Sequence, residues 1–297
     1  MRVSDLGEFG LIERIKKSVK TDSSVIKGIG DDCAVIKFNK THYLLYTSDM
    51  LVEGEDFTSK DEPYLVGRKA LAVSISDIAA CGGLPRYALV SLGLPKRCPV
   101  GLVDELYRGI NNLARKYKIN ITGGDLSAAG QLTLDISLLG TVEKKKLVLR
   151  SGAKENDIIF VTGNFGGSIL GKHLRFSPRL KEARFLVTNF KINSMIDVSD
   201  GLSLDLSHIL GESKAGAVIY EDLIPVNKNA RGFKDALTSG EDFELLFTLS
   251  LKEAHRLLQK SKDFTPIGKI TRQKTGLRLV DKQGREKKLK PEGFRHF

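Results

Sequence analysis

The sequence predicts an α/β protein in which mixed sheets are flanked by helices and the strand–helix pattern occurs twice. The first observation is length, because 297 residues are long for one hydrophobic core and favour two domains of roughly 150 residues each. The second is a restart of the pattern at DIIFVTG (157–163), a buried type of strand that follows the charged stretch EKKK (143–146). We therefore expect one domain over residues 1–146 and another over residues 147–297.

The first half of the chain is predicted to contain three helices. Leu11 and the apolar residues that follow it at helical spacing predict a helix in the first segment. A long apolar helix is predicted over residues 62–80, where CGG provides a stop, and an amphipathic helix over residues 100–118. The strands predicted in this half are CAVIKF, YLLYTSDMLVEG, YALVSLGLP, INITGGDLS, LTLDISLLGTV and LVLRSG.

The second half repeats this alternation. Glycines and a helix are predicted after DIIFVTG, and a second helix is predicted near residues 178–190. The segment SMIDVSDGLSLDLSHIL (194–210) predicts a strand, a turn and a helix. The remaining strands are predicted in AVIYEDLIP, DFELLFTLS, TPIGKI and LRLVDKQGREKKLK, the last of which forms a hairpin.

Composition and charge narrow the function classes. The chain has 47 Lys+Arg against 36 Asp+Glu, a net charge of +11, but its basic residues are spread out and no aromatic-rich basic stripe accompanies them. We therefore expect a solvated basic surface and no nucleic-acid partner. There is no run of about 18 apolar residues, so no membrane helix is expected. Three cysteines without CxxC spacing, and an N-terminal stretch without the apolar core of a signal peptide, favour a cytoplasmic protein.

Carboxylates recur at predicted strand ends and glycine-flanked turns, where ligands gather in α/β folds. Two of them, Asp31 and Asp32, stand side by side in GIGDDCAVIKF, and Asp77 lies in an otherwise apolar helix, where its charge needs a partner. Asp200 also fits a helix N-cap, and Asp125 also fits a turn residue. The further carboxylates in such places are Asp49, Asp197, Glu241 and Asp242. Oxygen ligands without His or Cys favour a hard cation such as Mg²⁺, held together with phosphates.

Two glycine-rich stretches resemble nucleotide-binding motifs only in part. GGSILGKH (166–173) nearly matches GxxxxGK[ST], but His173 stands where the magnesium-ligating hydroxyl belongs. VTGNFGG (161–167) lacks GxGxxG, so a dinucleotide oxidoreductase is also disfavoured. We therefore predict neither a P-loop nor a dinucleotide site.

The order and spacing of the motifs resemble those of the thiamine-monophosphate kinase family, which belongs to the ATP-binding superfamily of aminoimidazole ribonucleotide synthetase. The matching stretches run nearly end to end: GEFGLI, GIGDDCAVI, SDMLVEG, KALAVSISDIAACGG, TGGD, RSGAKENDIIFVTG, IDVSDGLSLDL, SGEDFELLF and EGFRHF. The resemblance implies a two-domain α+β fold of the PurM-like type, with N-terminal domains pairing in a homodimer and ATP between domains. It implies phosphorylation of thiamine monophosphate to thiamine diphosphate, with ATP as co-substrate and several Mg²⁺ ions. An alternative is another ATP-dependent enzyme of the superfamily, of the synthetase or hydrogenase-maturation type.

The resemblance also implies site residues. The implied metal ligands are Asp32, Ser48, Asp49, Asp77, Asp125, Asp197 and Asp200. The implied ATP contacts are Tyr107, Gly124, Asp125, Arg150 and Ser199. The implied substrate contacts are Asp56, Glu241 and Phe294, and the implied catalytic residues are Asp49, Arg150 and Asp200. Asp56 departs from the family pattern LVEGxHF, which has His at that position, and an ionised Asp accepts a hydrogen bond but does not donate one. Asp31 is expected to support Asp32 indirectly.

We expect direct in-line transfer of the γ-phosphoryl group to a phosphate oxygen of the acceptor. The second pKa of a phosphate monoester is near ~6, so this oxygen is largely anionic at neutral pH. A general base is then unnecessary, which agrees with the lack of a catalytic His or Cys motif in the sequence.

Overall fold

The first sheet is mixed and has six strands. The computed structural model describes residues 2–297. In this sheet the strands follow the order β1-β2-β3-β6-β4-β5, and only the β4–β5 pair is parallel. Its strands are β1 (Val25–Lys27), β2 (Ala34–Lys37), β3 (His42–Val52), β4 (Leu84–Leu94), β5 (Asn120–Ala128) and β6 (Thr133–Glu143).

A second mixed sheet follows in the second half of the chain. Its order is β13-β12-β9-β11-β7-β10-β8, with β9 and β12 parallel. The strands are β7 (Ile158–Thr162), β8 (Ile192–Val198), β9 (Ala215–Tyr220), β10 (Glu244–Leu249), β11 (Phe264–Arg272), β12 (Leu277–Val280) and β13 (Glu286–Lys288). The predicted hairpin at the end of the chain is therefore present, as β12 and β13.

Helices flank both sheets, as the sequence predicts. They are α1 (Val3–Ser18), α2 (Pro63–Ala80), α3 (Val100–Tyr117), α4 (Lys172–Arg175), α5 (Leu180–Asn189), α6 (Leu202–Ser213), α7 (Phe233–Thr238) and α8 (Leu251–Lys260). Among residues 2–297, none of these helices combines the length and the apolar character needed to span a bilayer.

Helix α2 is the central element, because it packs against both halves. It contacts β3, β6 and α3 on one side and α4, α5 and β8 on the other. This double packing explains why its sequence is apolar almost all round. Two glycines allow the α2–α3 contact: a Cβ on Gly67 would lie 2.1 Å from the Leu106 carbonyl oxygen, and one on Gly109 would lie 1.9 Å from that of Tyr64.

Two hydrophobic cores result from this arrangement. The larger core surrounds α2 and extends from the first sheet to one face of the second, where Phe160 and Phe247 stack at 5.6 Å between ring centroids. The smaller core lies on the other face of the second sheet, beneath α6. The two halves therefore share one core along α2, and the acidic end of this helix lies where they meet.

Several sequence-based assignments differ from the structure. LVLRSG is wrong as a strand: it is an extended connector whose backbone groups bond singly to different partners, such as Met195 N–H to the Leu149 carbonyl oxygen at 3.0 Å. Strand β1 and helices α7 and α8 were not predicted from the sequence. A signal for α8 was present, since Ser250 and Glu253 have capping-box spacing, and the Ser250 hydroxyl accepts the Glu253 N–H.

Candidate active site

Three carboxylates from distant parts of the chain meet at the junction of the two halves. Asp32 lies in the loop between β1 and β2, Asp77 near the end of α2, and Asp197 on β8. One oxygen of each lies within 4.8 Å of the other two. Hydroxyl groups also bind them, since Ser76 donates to Asp197 at 2.5 Å and Thr47 donates to Asp77. The sequence indicates that the charge of Asp77 needs a partner. In the structure its neighbours are the Thr47 hydroxyl and the carboxylates of Asp32 and Asp197 at the end of α2.

Strand β3 adds Ser48 and Asp49 from opposite faces of the first sheet, because side chains alternate along a strand. Asp49 faces α2, where its Oδ2 accepts the Ser74 hydroxyl at 2.7 Å. Ser48 faces outward, where its hydroxyl donates to Asp135 Oδ2 at 2.9 Å and lies 3.1 Å from the Ser137 hydroxyl. Asp135 is a carboxylate of this region that was not selected from the sequence. Polar and apolar residues alternate in TLDISL (133–138), and this pattern is the signal that places Asp135 and Ser137 on the same face of the strand.

These groups line one cavity of about 650 Å³. Its walls come from α1, from the loop before β2, from β3 and α2, and from α6 with the turn that precedes it. Of the residues selected from the sequence, the cavity contains Asp31, Asp32, Ser48, Asp49, Asp77, Arg150, Ser199 and Asp200. Neighbours that were not selected include Glu8, Phe9, Asp205, His208 and Glu212.

Arg150 is the cation closest to the paired aspartates. Its Nε and one terminal nitrogen donate to Asp32 Oδ1 at 3.1 and 2.7 Å. Its backbone N–H faces the Asp31 carboxylate at 3.3 Å, and Lys27 Nζ lies 3.7 Å from Asp31 Oδ2. Burial alone would lower the pKa of Arg150, but Asp32 and Asp31 raise it, so the guanidinium stays charged.

The cavity region contains more carboxylates than the single positive charge of Arg150 can neutralise. Burial, with the neighbouring Asp32 charge, raises the pKa of Asp197 to about 7. Burial likewise raises the pKa of Asp49 to about 6 and that of Asp77 well above its usual value. Such shifts mean that the charged forms lack positive partners.

The donor set fits a hard divalent cation. Asp32 Oδ2 is buried and has no hydrogen-bond partner among residues 2–297, although buried polar atoms are normally satisfied. Asp77 and Asp197 lie beside it. Carboxylate and hydroxyl oxygens are the ligands that Mg²⁺ prefers, so these residues fit the metal that the sequence analysis expected.

Asp200 does not cap α6. The N-cap is Gly201, and Asp205 Oδ2 accepts the backbone N–H groups of Asp200 and Gly201, each at 3.0 Å. The N-cap interpretation of Asp200 is therefore wrong. Its carboxylate groups instead with Asp205 and His208, and burial raises its pKa to about 6.

Three implied ATP-binding residues lie away from this cavity. Tyr107 is half-buried on α3, and Gly124 and Asp125 lie on the edge strand β5. Asp125 pairs with Ser91, which pairs with Asp135 on its other side. Three strand spacings separate β5 from β3, which corresponds to about 14 Å. The structure therefore does not bring Asp125 to the cluster within one chain.

The buried Lys69, which was not selected from the sequence, contacts two of the implied substrate-binding residues, Glu241 and Asp56. Its Nζ lies 2.6 Å from Glu241 Oε2 and donates to the Asp56 carbonyl oxygen at 2.9 Å. The Asp56 side chain closes its own turn, because Oδ2 accepts the Val52 N–H at 2.8 Å. A lysine inside an apolar helix was the available signal, since a buried ammonium needs a partner.

Phe294 lies beside the acidic cavity. Its N–H donates to the Asp200 carbonyl oxygen at 2.9 Å, and its side chain is 41% exposed. The C-terminal segment thus covers the start of α6, where Ser203 donates to the Glu292 carbonyl oxygen at 2.7 Å. The phenyl ring is therefore held at the cavity edge without being part of a core.

The near-P-loop binds one of the protein's own carboxylates. Gly166 N–H donates to Asp242 Oδ1 at 3.1 Å, and the Ser168 hydroxyl donates to the same carboxylate. Lys172 Nζ donates to Glu244 Oε1 at 3.0 Å. The donors that a P-loop directs at phosphate are therefore used on Asp242 and Glu244.

Comparisons with known proteins agree with this geometry. Two family models match, the AIR synthase related protein N-terminal domain over residues 30–142 and its C-terminal domain over residues 127–280. The thiamine-monophosphate kinase of Buchnera aphidicola subsp. Schizaphis graminum is 37% identical, covering 99% of each chain, and that of Rhodopirellula baltica is 38% identical, covering 92% of each. The solved structure of AaThiL complexed with AMPPCP and TMP superposes with a TM-score of 0.89 at 32% identity, over 100% of this chain and 99% of that one.

Proposed function

The chain belongs to the thiamine-monophosphate kinase family, and from this premise we propose that it transfers the γ-phosphoryl group of ATP to thiamine monophosphate, giving thiamine diphosphate. The observation that carries the proposal is the buried cluster of Asp32, Asp77 and Asp197, of which Asp32 and Asp77 line a cavity built by both halves. The negative charge of this cluster would repel an anionic ligand without cations, and it would repel a nucleic acid. The cluster favours phosphates that bind together with cations.

The negative charges of the substrates and of the cavity support a role for the cavity carboxylates as metal ligands. ATP and a phosphate monoester together carry roughly six negative charges at neutral pH, and the cavity adds several carboxylates. Mg²⁺ ions bound there would neutralise and align the phosphates. The residues that would hold them are Asp32, Ser48, Asp49, Asp77, Asp197 and Asp200. Asp125 lies three strands away from β3 in the same chain, so we propose it as a metal ligand only together with groups of a partner subunit.

The protein's own groups then have simple tasks. The attacking phosphate oxygen is already anionic, so no side chain has to remove a proton. Arg150 uses Nε and one terminal nitrogen on Asp32. Its other terminal nitrogen has no hydrogen-bond partner in the part of the chain that the structure describes, and we assign it to a phosphate oxygen. Asp32 thus orients Arg150, Ser199 adds a contact to ATP, and the two reacting groups are held in line.

We propose a homodimer formed through the outer face of the first sheet. On this face, strand pairing aligns Tyr46, Leu139 and Tyr87 in one row, with Leu89 and Met50 in the next two. Four of these side chains, Tyr46, Met50, Tyr87 and Leu89, are 42% to 59% exposed, and an exposed apolar patch of this kind marks an interface. Asp125 lies on the same face, so a partner would bring its own groups close to it. Gly124 is its neighbour on β5, whereas Tyr107 lies on α3, which packs on α2 behind the sheet. We propose both as ATP contacts.

Domain limits and location follow as further proposals. We place the domain boundary at residues 146/147, because the first sheet ends at Glu143 and the second begins at Ile158. The ATP requirement and three unpaired cysteines support a cytoplasmic location.

A phosphoryl-transfer assay tests the function. Protein, ATP, Mg²⁺ and thiamine monophosphate are mixed and thiamine diphosphate is followed by chromatography, with thiamine as a parallel acceptor. Product from the monophosphate alone, abolished by EDTA, is the expected result. ATP binding without product would favour another superfamily enzyme, of the synthetase or hydrogenase-maturation type. Strong salt-dependent nucleic-acid binding would contradict the expected absence of such a partner.

A further inference from the structure

Lys69 is fully buried in the middle of α2, yet it is a cation. Buried lysines are rare unless they are paired, and removing an ammonium from water is costly. Its Nζ lies 2.6 Å from Glu241 Oε2 and 2.9 Å from the Asp56 carbonyl oxygen. Both contacts are to residues implied to bind the thiamine part of the substrate.

Glu241 is held by two contacts, one through its backbone and one through its side chain. Its backbone is left-handed, with φ of 60°, and its N–H donates to the Ser199 carbonyl oxygen at 2.6 Å. Its Oε2 is buried against Lys69, whereas the side chain as a whole remains 26% exposed. The orientation of Glu241 is therefore fixed by Lys69 on one side and by the Ser199 turn on the other.

We propose that Lys69 is a positioning residue for the thiamine subsite, an inference that rests on the proposed kinase function. Lys69 holds the Glu241 carboxylate and the Asp56 turn in one fixed relation. Because Lys69 neutralises Glu241, that carboxylate presents the heterocycle with an oriented hydrogen-bond acceptor instead of a net negative charge. This is a role the sequence resemblance did not assign, since it implied only that Glu241 contacts the substrate.

Helix α2 also sets the distance between the heterocycle and the phosphates. Lys69 and Asp77 are eight residues apart on this helix, which corresponds to about 12 Å. Asp77 lies in the acidic cluster and Lys69 lies beside the substrate contacts. One rigid helix thus places the heterocycle subsite relative to the phosphate-binding cluster.

The test compares Lys69→Met, Glu241→Gln and the double variant in steady-state kinetics. We expect Lys69→Met to raise the KM for thiamine monophosphate about tenfold, with the KM for ATP within about twofold. The double variant removes both charges, which protects folding, and its effect should fall clearly below the product of the single effects. Lys146→Met is the matched control, because it removes a lysine 2.9 Å from Glu143 outside the site.

Each outcome decides the question. An active wild type, with Lys69→Met folded and its KM for thiamine monophosphate unchanged, overturns the role of Lys69 alone. Equal rises in both KM values, or single effects that multiply in the double variant, overturn it as well. If Lys69→Met does not fold, the comparison of the double variant with Glu241→Gln decides, and a large additional rise in KM contradicts the proposal. A wild type that neither binds nor phosphorylates thiamine monophosphate overturns the proposed function and, with it, this inference.

Discussion

Asp31 and Asp32 are adjacent in the chain but differ in what they contact. Asp31 accepts the Arg150 backbone N–H and lies near Lys27, whereas Asp32 pairs with the Arg150 guanidinium through one oxygen and leaves the other unpartnered. At the scale of single residues, the unpartnered oxygen is the more informative observation. A satisfied ion pair is common in structural networks, but a buried carboxylate oxygen without a donor is suited to binding a cation.

Asp49→Asn tests the metal role at this scale. The amide keeps the size of the side chain and still accepts the Ser74 hydroxyl, so the fold should persist, while kcat falls at least about 100-fold because a metal ligand is weakened. Thermal unfolding and turnover are measured together. Asp263→Asn, at an exposed turn where Asp263 bonds Ser261, serves as control. Near-normal turnover in folded Asp49→Asn would remove Asp49 from the metal site.

Glu244 gives a prediction of pH dependence. Burial alone would raise its pKa, but hydrogen bonds from Arg179 and the charge of Lys172 lower it below the usual value. The group therefore stabilises the fold above the ordinary carboxyl pKa and loses this contribution as the pH falls through its lowered pKa. Glu244→Gln should cost about 3 kcal/mol at pH 7, and the gap to wild type should narrow in urea unfolding below pH 4.

The control for this experiment is Glu105→Gln. Glu105 pairs with Arg108 on the exposed side of α3, and such surface pairs contribute less than about 1 kcal/mol. A gap between Glu244→Gln and wild type that stays constant down to pH 3 would contradict the role of this ion pair.

At the scale of elements, α2 does more than fill the core. Along one helix it carries Lys69 at the substrate contacts, Ser74 on Asp49, Ser76 on Asp197, and Asp77 in the acidic cluster. Its alignment depends on the contact with α3, where Gly67 and Gly109 leave no room for a side chain. A substitution at the α2–α3 contact should therefore displace the side chains that α2 contributes to the site.

Gly109→Ala tests that dependence. The new Cβ would lie 1.9 Å from the Tyr64 carbonyl oxygen, so the helices must separate, at a cost of about 3 kcal/mol. Gly101→Ala is the control on the same helix, because nothing lies within 4 Å of its Cβ position, and it should be neutral or stabilise by up to about 1 kcal/mol. Urea unfolding distinguishes the two, and equal stabilities would show that the contact tolerates a methyl group.

At the scale of the whole molecule, the site is a product of two halves that share one core. Asp32, Asp49 and Asp77 come from the first half, and Asp197 and Asp200 from the second. The outer face of the first sheet takes no part in that core, and it carries the exposed apolar patch of Tyr46, Met50, Tyr87 and Leu89 beside its polar residues. The proposed homodimer would cover this face.

Tyr87→Lys tests the dimer. Tyr87 is 50% exposed and belongs to the apolar patch of the outer face, and a charge there should shift the protein at micromolar concentration from twice the chain mass to the chain mass. Light scattering during gel filtration measures this. Leu258→Lys, at a 44% exposed position on α8, should leave the mass unchanged. A wild-type monomer would contradict the proposal directly.

The sequence by itself determined most of the elements and the family. Periodicity predicts α3 and most strands because burial of one face imposes a repeat on the chain, and a long apolar run predicts α2. Carboxylates at strand ends and glycine-flanked turns, without His or Cys, lead to the expectation of a hard cation because Mg²⁺ prefers oxygen ligands. The order of the motifs indicates the family, and the comparisons confirm it.

Only the tertiary structure decided which of these residues meet. It brought Asp197 to Asp32 and Asp77, paired Lys69 with Glu241, and left Asp125 on a distant strand. It also replaced the predicted strand LVLRSG with a connector, and it assigned the donors of the near-P-loop to Asp242. The physical reason is that spacing along the chain records local geometry, whereas contacts between residues more than 100 positions apart depend on how the two sheets pack around α2.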